Sequence, residues 1–482
     1  MATVSVIPHR EDARSVAHPD PEEGGGAEGG DREGGTAILG AQVLVMGELR
    51  RLDLGIRDGI IVELADGLQG SYQTVVRAKG LVALPGVIDT QVHFREPGMT
   101  HKEDLASGSN AAAAGGVTSF FEMPNTKPAT TTPELWADKV ARAAGRCRVD
   151  HAFYAGATRD NAASLRQLEG QAGFAGVKVF MGSSTGSLLV DDDAGLAQVL
   201  RAGKMRVAVH AEDEPTLRRL AAAVPGTQPI DHQDRRDVSA AVLAVQRLLD
   251  LALETTRPVH VLHVSSAEEC ELLRRHPARR FVSAEVTPQH LLLAGPECYQ
   301  RLGNLAVMNP PIRSERDRAA LWQALRDGVL TLIGTDHAPH TIAEKSLPYP
   351  GIPSGMPGVQ TLLPLLLDQV AQGTVSLAEV ALWTAQRPAH VFQIRGKGGL
   401  LPGLDGDIAL VDLNLRRELT PQLLQSRCGW SPWLGQKLQG WPIMTVVRGQ
   451  LVWAEDQPVG APIGRPLQLV KPLLMVPGAQ SL

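Results

Sequence analysis

The chain is predicted to fold as an α/β protein, a closed parallel (β/α)8 barrel of TIM type carrying a small β-sandwich built from both chain ends. Three observations predict it. Eight short apolar runs alternate with helical patterns through the middle of the chain. The residues capable of chemistry fall at or just past the C-terminal ends of those runs, where barrel enzymes carry their sites. Short β-rich pieces with Gly and Asp turns precede the alternating region, and comparable pieces follow it.

Taken in order, residues 1–35 read as a disordered tail. The run Glu22-Glu-Gly-Gly-Gly-Ala-Glu-Gly-Gly-Asp-Arg-Glu-Gly-Gly35 is acidic and glycine-rich and has little to bury. It lacks an apolar h-region, so it does not read as a secretory signal. Residues 36–82 hold the pieces 37–39, 42–46, 52–56 and 59–63, the first part of the sandwich. Residues 83–398 are the barrel, with strands expected at 84–94, 117–122, 150–155, 176–181, 206–211, 259–264, 281–286 and 330–335. Helical patterns lie between them, among others at 133–142, 239–254 and 315–327. Residues 399–465, with apolar runs at 407–412 and 443–453, complete the sandwich, and 466–482 form a C-terminal tail.

Composition narrows the function. A length of 482 residues suits one large barrel and a satellite domain. Hydrophobic content of 43% and charged content of 21% are those of an ordinary globular protein. A net charge of −5 with scattered Lys and Arg argues against a nucleic-acid surface. No apolar run approaches the ~20 residues of a membrane span. Cys147, Cys270, Cys298 and Cys428 lie far apart with no C-x-x-C pair, which points to reduced thiols in a cytoplasm.

The stretch Asp89-Thr-Gln-Val-His-Phe-Arg-Glu96 follows the first barrel run and sets Gln91, His93 and Arg95 on alternate residues. A strand has a side-chain period of two, so the three should face one side. Asn125 follows the second run, Lys178 lies on the fourth, His210 on the fifth and His263 on the sixth, and Asp336 ends the eighth. Imidazoles, a carboxylate and a lysine at one barrel mouth could hold one or two divalent metals, and imidazole suits zinc better than magnesium or calcium. Singly, each has a plainer reading: a structural histidine, a buried ion-pair lysine, an aspartate capping the next helix.

On these residues and on Phe94-Arg-Glu-Pro-Gly98, Glu122-Met-Pro-Asn-Thr126, Gly176-Val-Lys-Val-Phe-Met181, Val209-His-Ala-Glu-Asp213, Leu262-His-Val-Ser265, Glu285-Val-Thr-Pro-Gln-His290, Met308-Asn-Pro-Pro-Ile312, Gly334-Thr-Asp-His-Ala-Pro-His340 and Ser354-Gly-Met-Pro-Gly-Val-Gln360, the chain resembles the metal-dependent cyclic amidohydrolases of the amidohydrolase superfamily. It is most similar to the dihydroorotases. The resemblance implies a metal-dependent barrel in which a carboxylated Lys178 bridges two metal ions. His93 and Asp336 would hold one ion, His210 and His263 the other. It implies that Asp336 moves the proton between attacking water and departing ring nitrogen, and that Arg95, Asn125 and His340 grip the substrate's carboxylate. Asn309 would bond the substrate ring, and His290 and Glu212 would support ligands or water. Arg95 is the discriminating residue, because its planar fork donates two parallel hydrogen bonds to a carboxylate. Allantoinases and hydantoinases depart from it there. Its plainer reading is a salt bridge to Glu96 or Asp104.

The family's Asp-x-His-x-His motif stands here as Asp89-Thr90-Gln91-Val92-His93. A neutral amide is a poorer zinc ligand than imidazole, so one metal position should be weakened. The departure also raises a rival of another class, a non-catalytic partner of an aspartate transcarbamoylase, although such a scaffold has no reason to keep Lys178, His210, His263 and Asp336. A hydantoinase-like hydrolase of another cyclic ureide is the third reading. A homo-oligomer is expected from apolar helical patterns such as 362–371. The glycine-containing segments at 183–186 and 354–357 are expected near the site.

Overall fold

The computed structural model describes residues 6–8, 34–183 and 188–470. Eight parallel strands lie side by side in chain order: β1 (Val87–Val92), β2 (Val117–Glu122), β3 (Asp150–Gly156), β4 (Phe174–Phe180), β5 (Val207–His210), β6 (Val259–Val261), β7 (Val282–Val286) and β8 (Leu332–Ile333). All are buried on both faces, which explains why they read as nearly continuous apolar runs. Between β8 and β1 the ring is closed by the His93 N–H, which donates to His337 O at 2.7 Å. Each of the eight expected strands is present.

The two largest differences in extent have physical reasons. The expected strand 84–94 divides at Gly86. Its first part, Val82–Pro85, pairs antiparallel with Ile408–Glu418 in the sandwich. At Gly86 the N–H turns away to Asp407 O at 2.9 Å, and a Cβ there would stand 2.2 Å from Thr118 Oγ1. The sandwich therefore runs to this glycine, past the boundary expected at 82. The last strand is cut to Leu332–Ile333 because the Thr335 N–H leaves the ladder for Asp89 Oδ1 at 3.0 Å.

Outer helices form where expected, including Pro133–Ala143, Val238–Thr255 and Glu315–Arg326. Their starts are fixed by side chains that take up orphan N–H groups: Thr132, Asp237 and Ser314 cap them, the last in a reciprocal box with Asp317.

The sandwich has two sheets. One orders Val6–Pro8, Thr74–Arg77, Thr36–Leu39, Asp53–Arg57 and Ile60–Ala65; the other orders Gln457–Pro458, Gln450–Ala454, Lys437–Val447, Ile408–Glu418, Val82–Pro85, Gln42–Val45 and Glu48–Arg51. The second sheet joins both ends of the chain, as expected. Ile38, Leu54, Ile56 and Ile61 pack against Val43, Ile408, Leu410 and Met444 in the core between them. Of the segment expected as a tail, Val6–Pro8 adds an edge strand to the first sheet, and its glycine-rich acidic run lies outside the described residues up to residue 33. Residues 466–470 are not a tail. Leu467 and Leu469 are buried, and Leu467 exchanges backbone hydrogen bonds with His151 and Gly173 at 2.9 and 2.7 Å beneath the barrel.

A buried charge cluster pins the sandwich to the barrel floor. Lys397 Nζ lies 2.7 Å from Asp150, 2.8 Å from Asp405 and 2.6 Å from Asp407, and Arg448 also pairs with Asp150. The three carboxylates are close enough to chelate a cation, and the ammonium fills that place. Lys397→Ala would strand buried carboxylates with one guanidinium, a loss of about 3–5 kcal/mol. The Tm should fall by about 5 °C or more, read by calorimetry; an unchanged Tm would show that the cluster does not hold the domains together.

Candidate active site and metal centre

At the C-terminal mouth, Gln91, His93, Arg95, Asn125, Lys178, His210, His263, Asn309 and Asp336 line one cavity. His340 stands one layer behind, 3.3 Å from Arg95 Nη2. The elements explain the convergence. Gln91, Lys178 and His210 lie near the C-terminal ends of β1, β4 and β5; His93, Arg95, Asn125, His263 and Asp336 ride on segments that have just left the ladder, and Asn309 on the connection between β7 and β8. His263, Asp336 and Arg95 have φ of 39°, 46° and 63°, a left-handed conformation that side-chain-bearing residues adopt at a cost and that clusters at functional sites. The period-two argument therefore carries Gln91, which lies within β1, but not Arg95; a backbone reversal brings Arg95 to the same cavity.

The centre has two halves. In one, Gln91 Nε2 donates to Asp336 Oδ1 at 2.9 Å, His93 Nε2 is 3.0 Å from the same oxygen, and His93 Nδ1 is 2.8 Å from Asn125 Oδ1. In the other, His210 Nδ1 is 3.0 Å from His263 Nε2, and His210 Nε2 is 2.9 Å from Glu212 Oε2. Glu212 is held from behind by Arg236 Nε at 3.2 Å, as expected of a supporting residue. Burial would raise its carboxyl, but Arg236 and His210 outweigh this and hold it well below the usual range. His290 is held against backbone beside the site. Its Nε2 lies 3.2 Å from Pro310 O, so it braces the segment that carries Asn309.

Burial keeps the imidazoles neutral and ready to ligate: it pushes His93 down to about 4, and lowers His210 and His263. Burial likewise brings Lys178 down to about 7, against the pull of Asp336 and Glu285. Its Nζ has no hydrogen-bond partner, nor has Gln91 Oε1, and the ammonium lies only over the Phe180 ring, 4.4 Å from its centroid. Orphaned buried polar atoms are costly. Here they face neutral imidazoles and a carboxylate across one small cavity, a donor set that fits a divalent cation.

Arg95 is fully buried, and its Nε donates to Pro339 O at 3.2 Å. The carboxylates suggested as its partners are engaged elsewhere, Glu96 by Arg146 at 2.6 Å and Asp104 by Arg427. Among the described residues no carboxylate pairs with it. Burial brings its guanidinium down to about 10, still charged at neutral pH.

The cavity itself is about 20 Å³, room for a water. Ser354 also lines an adjoining cavity of about 280 Å³. Of the segment 183–186, residues 184–186 lie outside the described residues.

Three supporting residues were not legible in the sequence. His232 Nε2 is 2.8 Å from Asn309 Oδ1 and orients that amide. Glu285, under the floor, accepts from Thr90 Oγ1 at 2.7 Å and lies 3.0 Å from His260 Nε2. Lys102 Nζ is 3.0 Å from His340 Nδ1. Glu285 and Lys102 did carry a signal, the first heading the motif Glu285-Val-Thr-Pro-Gln-His290 and the second lying in the loop that Arg95 opens.

Among the described residues no helix is long and apolar enough to cross a membrane. The chain matches the amidohydrolase family over residues 82–452. It is 34% identical to a dihydroorotase of Methanosarcina acetivorans, over 89% of this chain and 94% of that one. It is 40% identical to a dihydroorotase of Halobacterium salinarum, over 77% and 86%. Among solved structures it is similar to the L-hydantoinase (dihydropyrimidinase) of Arthrobacter aurescens, with a TM-score of 0.84, 26% identity, and coverage of 90% of this chain and 99% of that one. The barrel, its mouth and these relatives agree: the chain belongs to the amidohydrolase family and is a dihydroorotase-like cyclic amidohydrolase.

Proposed function

We propose that the chain interconverts dihydroorotate and N-carbamoyl-aspartate, the ring-closing step of de novo pyrimidine synthesis. The observation that carries this reading is Arg95: a buried guanidinium, free of carboxylate partners among the described residues, facing the same cavity as Asp336. A buried unpaired cation is expensive, and a ring bearing a carboxylate supplies the missing anion. Asn125 and Asn309 line the same cavity, and His340 stands 3.3 Å from Arg95 Nη2.

Lys178, His210 and His263 would hold one divalent ion, zinc by the softness of imidazole, and His93 and Asp336 a weaker second. A bound ion would supply Lewis acidity toward the ring carbonyl and a water with a pKa of about 7. Lys178, buried beside these imidazoles, is neutral for part of the time at neutral pH. Its amine can add to carbon dioxide, forming an N–C bond and releasing a proton, and the carbamate anion then answers the imidazole ligands as an ammonium cannot. Asp336 accepts the proton of the attacking water at its carboxylate and returns it to the ring nitrogen as the amide bond breaks; ring closure runs the same transfers in reverse.

Gln91 sets the strength of the second position. Its N–H occupies Asp336 Oδ1, and its amide oxygen is a weak ligand. Gln91→His should raise retained zinc from about one to about two ions per chain, read by elemental analysis after dialysis. An unchanged content would show that Gln91 does not limit metal binding.

The reading is tested by comparing substrates on the zinc- and bicarbonate-supplied protein. Dihydroorotate should exceed dihydrouracil and hydantoin in kcat/KM by about 10²-fold or more, the worth of a charge-assisted pair. Preference for the uncharged rings would favour a hydantoinase-like activity instead.

A further inference from the structure

The imidazole of His340 is buried between two cationic side chains. Its Nε2 is 3.3 Å from Arg95 Nη2 and 3.1 Å from the Ser354 carbonyl oxygen, and its Nδ1 is 3.0 Å from Lys102 Nζ. Lys102 is itself anchored, 2.8 Å from Glu344 Oε1. Glu344 accepts the Thr341 N–H and hydroxyl at 2.9 and 3.0 Å in a capping box, so the relay Thr341–Glu344–Lys102–His340 is fixed at its outer end.

An ammonium only donates, so His340 Nδ1 must accept. Burial, reinforced by Arg95, Lys102 and Lys345, holds His340 well below the ordinary imidazole range, and a neutral imidazole carries one proton. That proton is therefore on Nε2, where it donates to Ser354 O. In this tautomer Nε2 cannot accept from Arg95, and the two side chains present N–H groups next to each other. Lys102 does not line the cavity; it reaches the site through the imidazole.

We propose that Lys102 is a positioning residue that fixes His340 in the Nε2–H tautomer, so that the imidazole, its one N–H held by Ser354 O, offers Arg95 no acceptor and leaves the guanidinium N–H groups for the carboxylate of the substrate. The substrate half of this inference rests on the reading that the substrate is a cyclic acid; the tautomer half does not. Without Lys102 the Nδ1–H tautomer opens, and an Nε2 lone pair would oppose both the Ser354 carbonyl and an incoming carboxylate.

The test combines kinetics and NMR on the full-length protein. Lys102→Met should raise the KM for dihydroorotate about 10-fold or more while kcat stays within about 3-fold. Lys102→Arg, also a pure donor, should restore KM to within about 3-fold. The double variant Lys102→Met/His340→Asn should bind dihydroorotate no more weakly than His340→Asn alone. With 13C-labelled histidine, the His340 Cδ2 signal, assigned by its loss in His340→Asn, should report Nε2–H in the wild type and shift in Lys102→Met. Additive losses in the double variant would make Lys102 a direct charge for the carboxylate, and an unshifted Cδ2 signal would refute the tautomer role. If the wild type turns over only uncharged rings, the substrate reading fails, and the NMR comparison still decides whether Lys102 sets the tautomer.

Discussion

Asp336→Asn is expected to lower kcat for dihydroorotate by about 10³-fold, within the range that a positioned acid–base group contributes. The carboxylate sits where β8 leaves the ladder, held by a left-handed backbone turn and by the Gln91 amide at 2.9 Å. Asparagine has the same shape and keeps an acceptor for that amide, so the fold should be undisturbed. What it cannot do is take a proton and give it back. Steady-state kinetics alongside zinc content separates the proton role from loss of a ligand. A kcat within about 10-fold of wild type, with metal retained, would remove Asp336 from the proton path.

Arg95→Met should cut kcat/KM for dihydroorotate by about 10²–10³-fold, chiefly through KM, as two charge-assisted hydrogen bonds are lost. Methionine fills the pocket without charge, and removing a buried unpaired guanidinium relieves a desolvation cost. Thermal stability should therefore be equal to wild type or higher. Rates on dihydrouracil should change by no more than about 3-fold, because that ring offers nothing for the arginine to hold. Equal losses on both substrates, with a lowered Tm, would make Arg95 a structural residue.

How much of this was legible in the letters follows from which physical signal each feature carries. Strand β2 coincides with the expected 117–122 because a strand buried on both faces leaves an unbroken apolar run. Glu48–Arg51 left none: it is an exposed polar edge strand, recruited by its neighbour Gln42–Val45 rather than by its own pattern. The division at Gly86 was hidden because one apolar run serves two sheets in succession. The nine cavity residues could be found because strand ends and motifs carry them. Lys102 and His232 lie on segments without periodicity, and their roles arise from a tautomer and an amide orientation that only three-dimensional neighbours impose. The same holds for His290, whose motif placed it beside the site while its hydrogen bonds turn it to the Pro310 and Pro311 carbonyls.

Whether the chain is a cyclic-acid amidohydrolase is decided by following N-carbamoyl-aspartate and dihydroorotate from both directions with the purified wild-type protein, supplied with zinc and bicarbonate and analysed for metal in the same sample. Turnover is expected in both directions, converging on one equilibrium ratio, with at least about one zinc ion held per chain. A folded, metal-loaded protein that converts neither compound would contradict it.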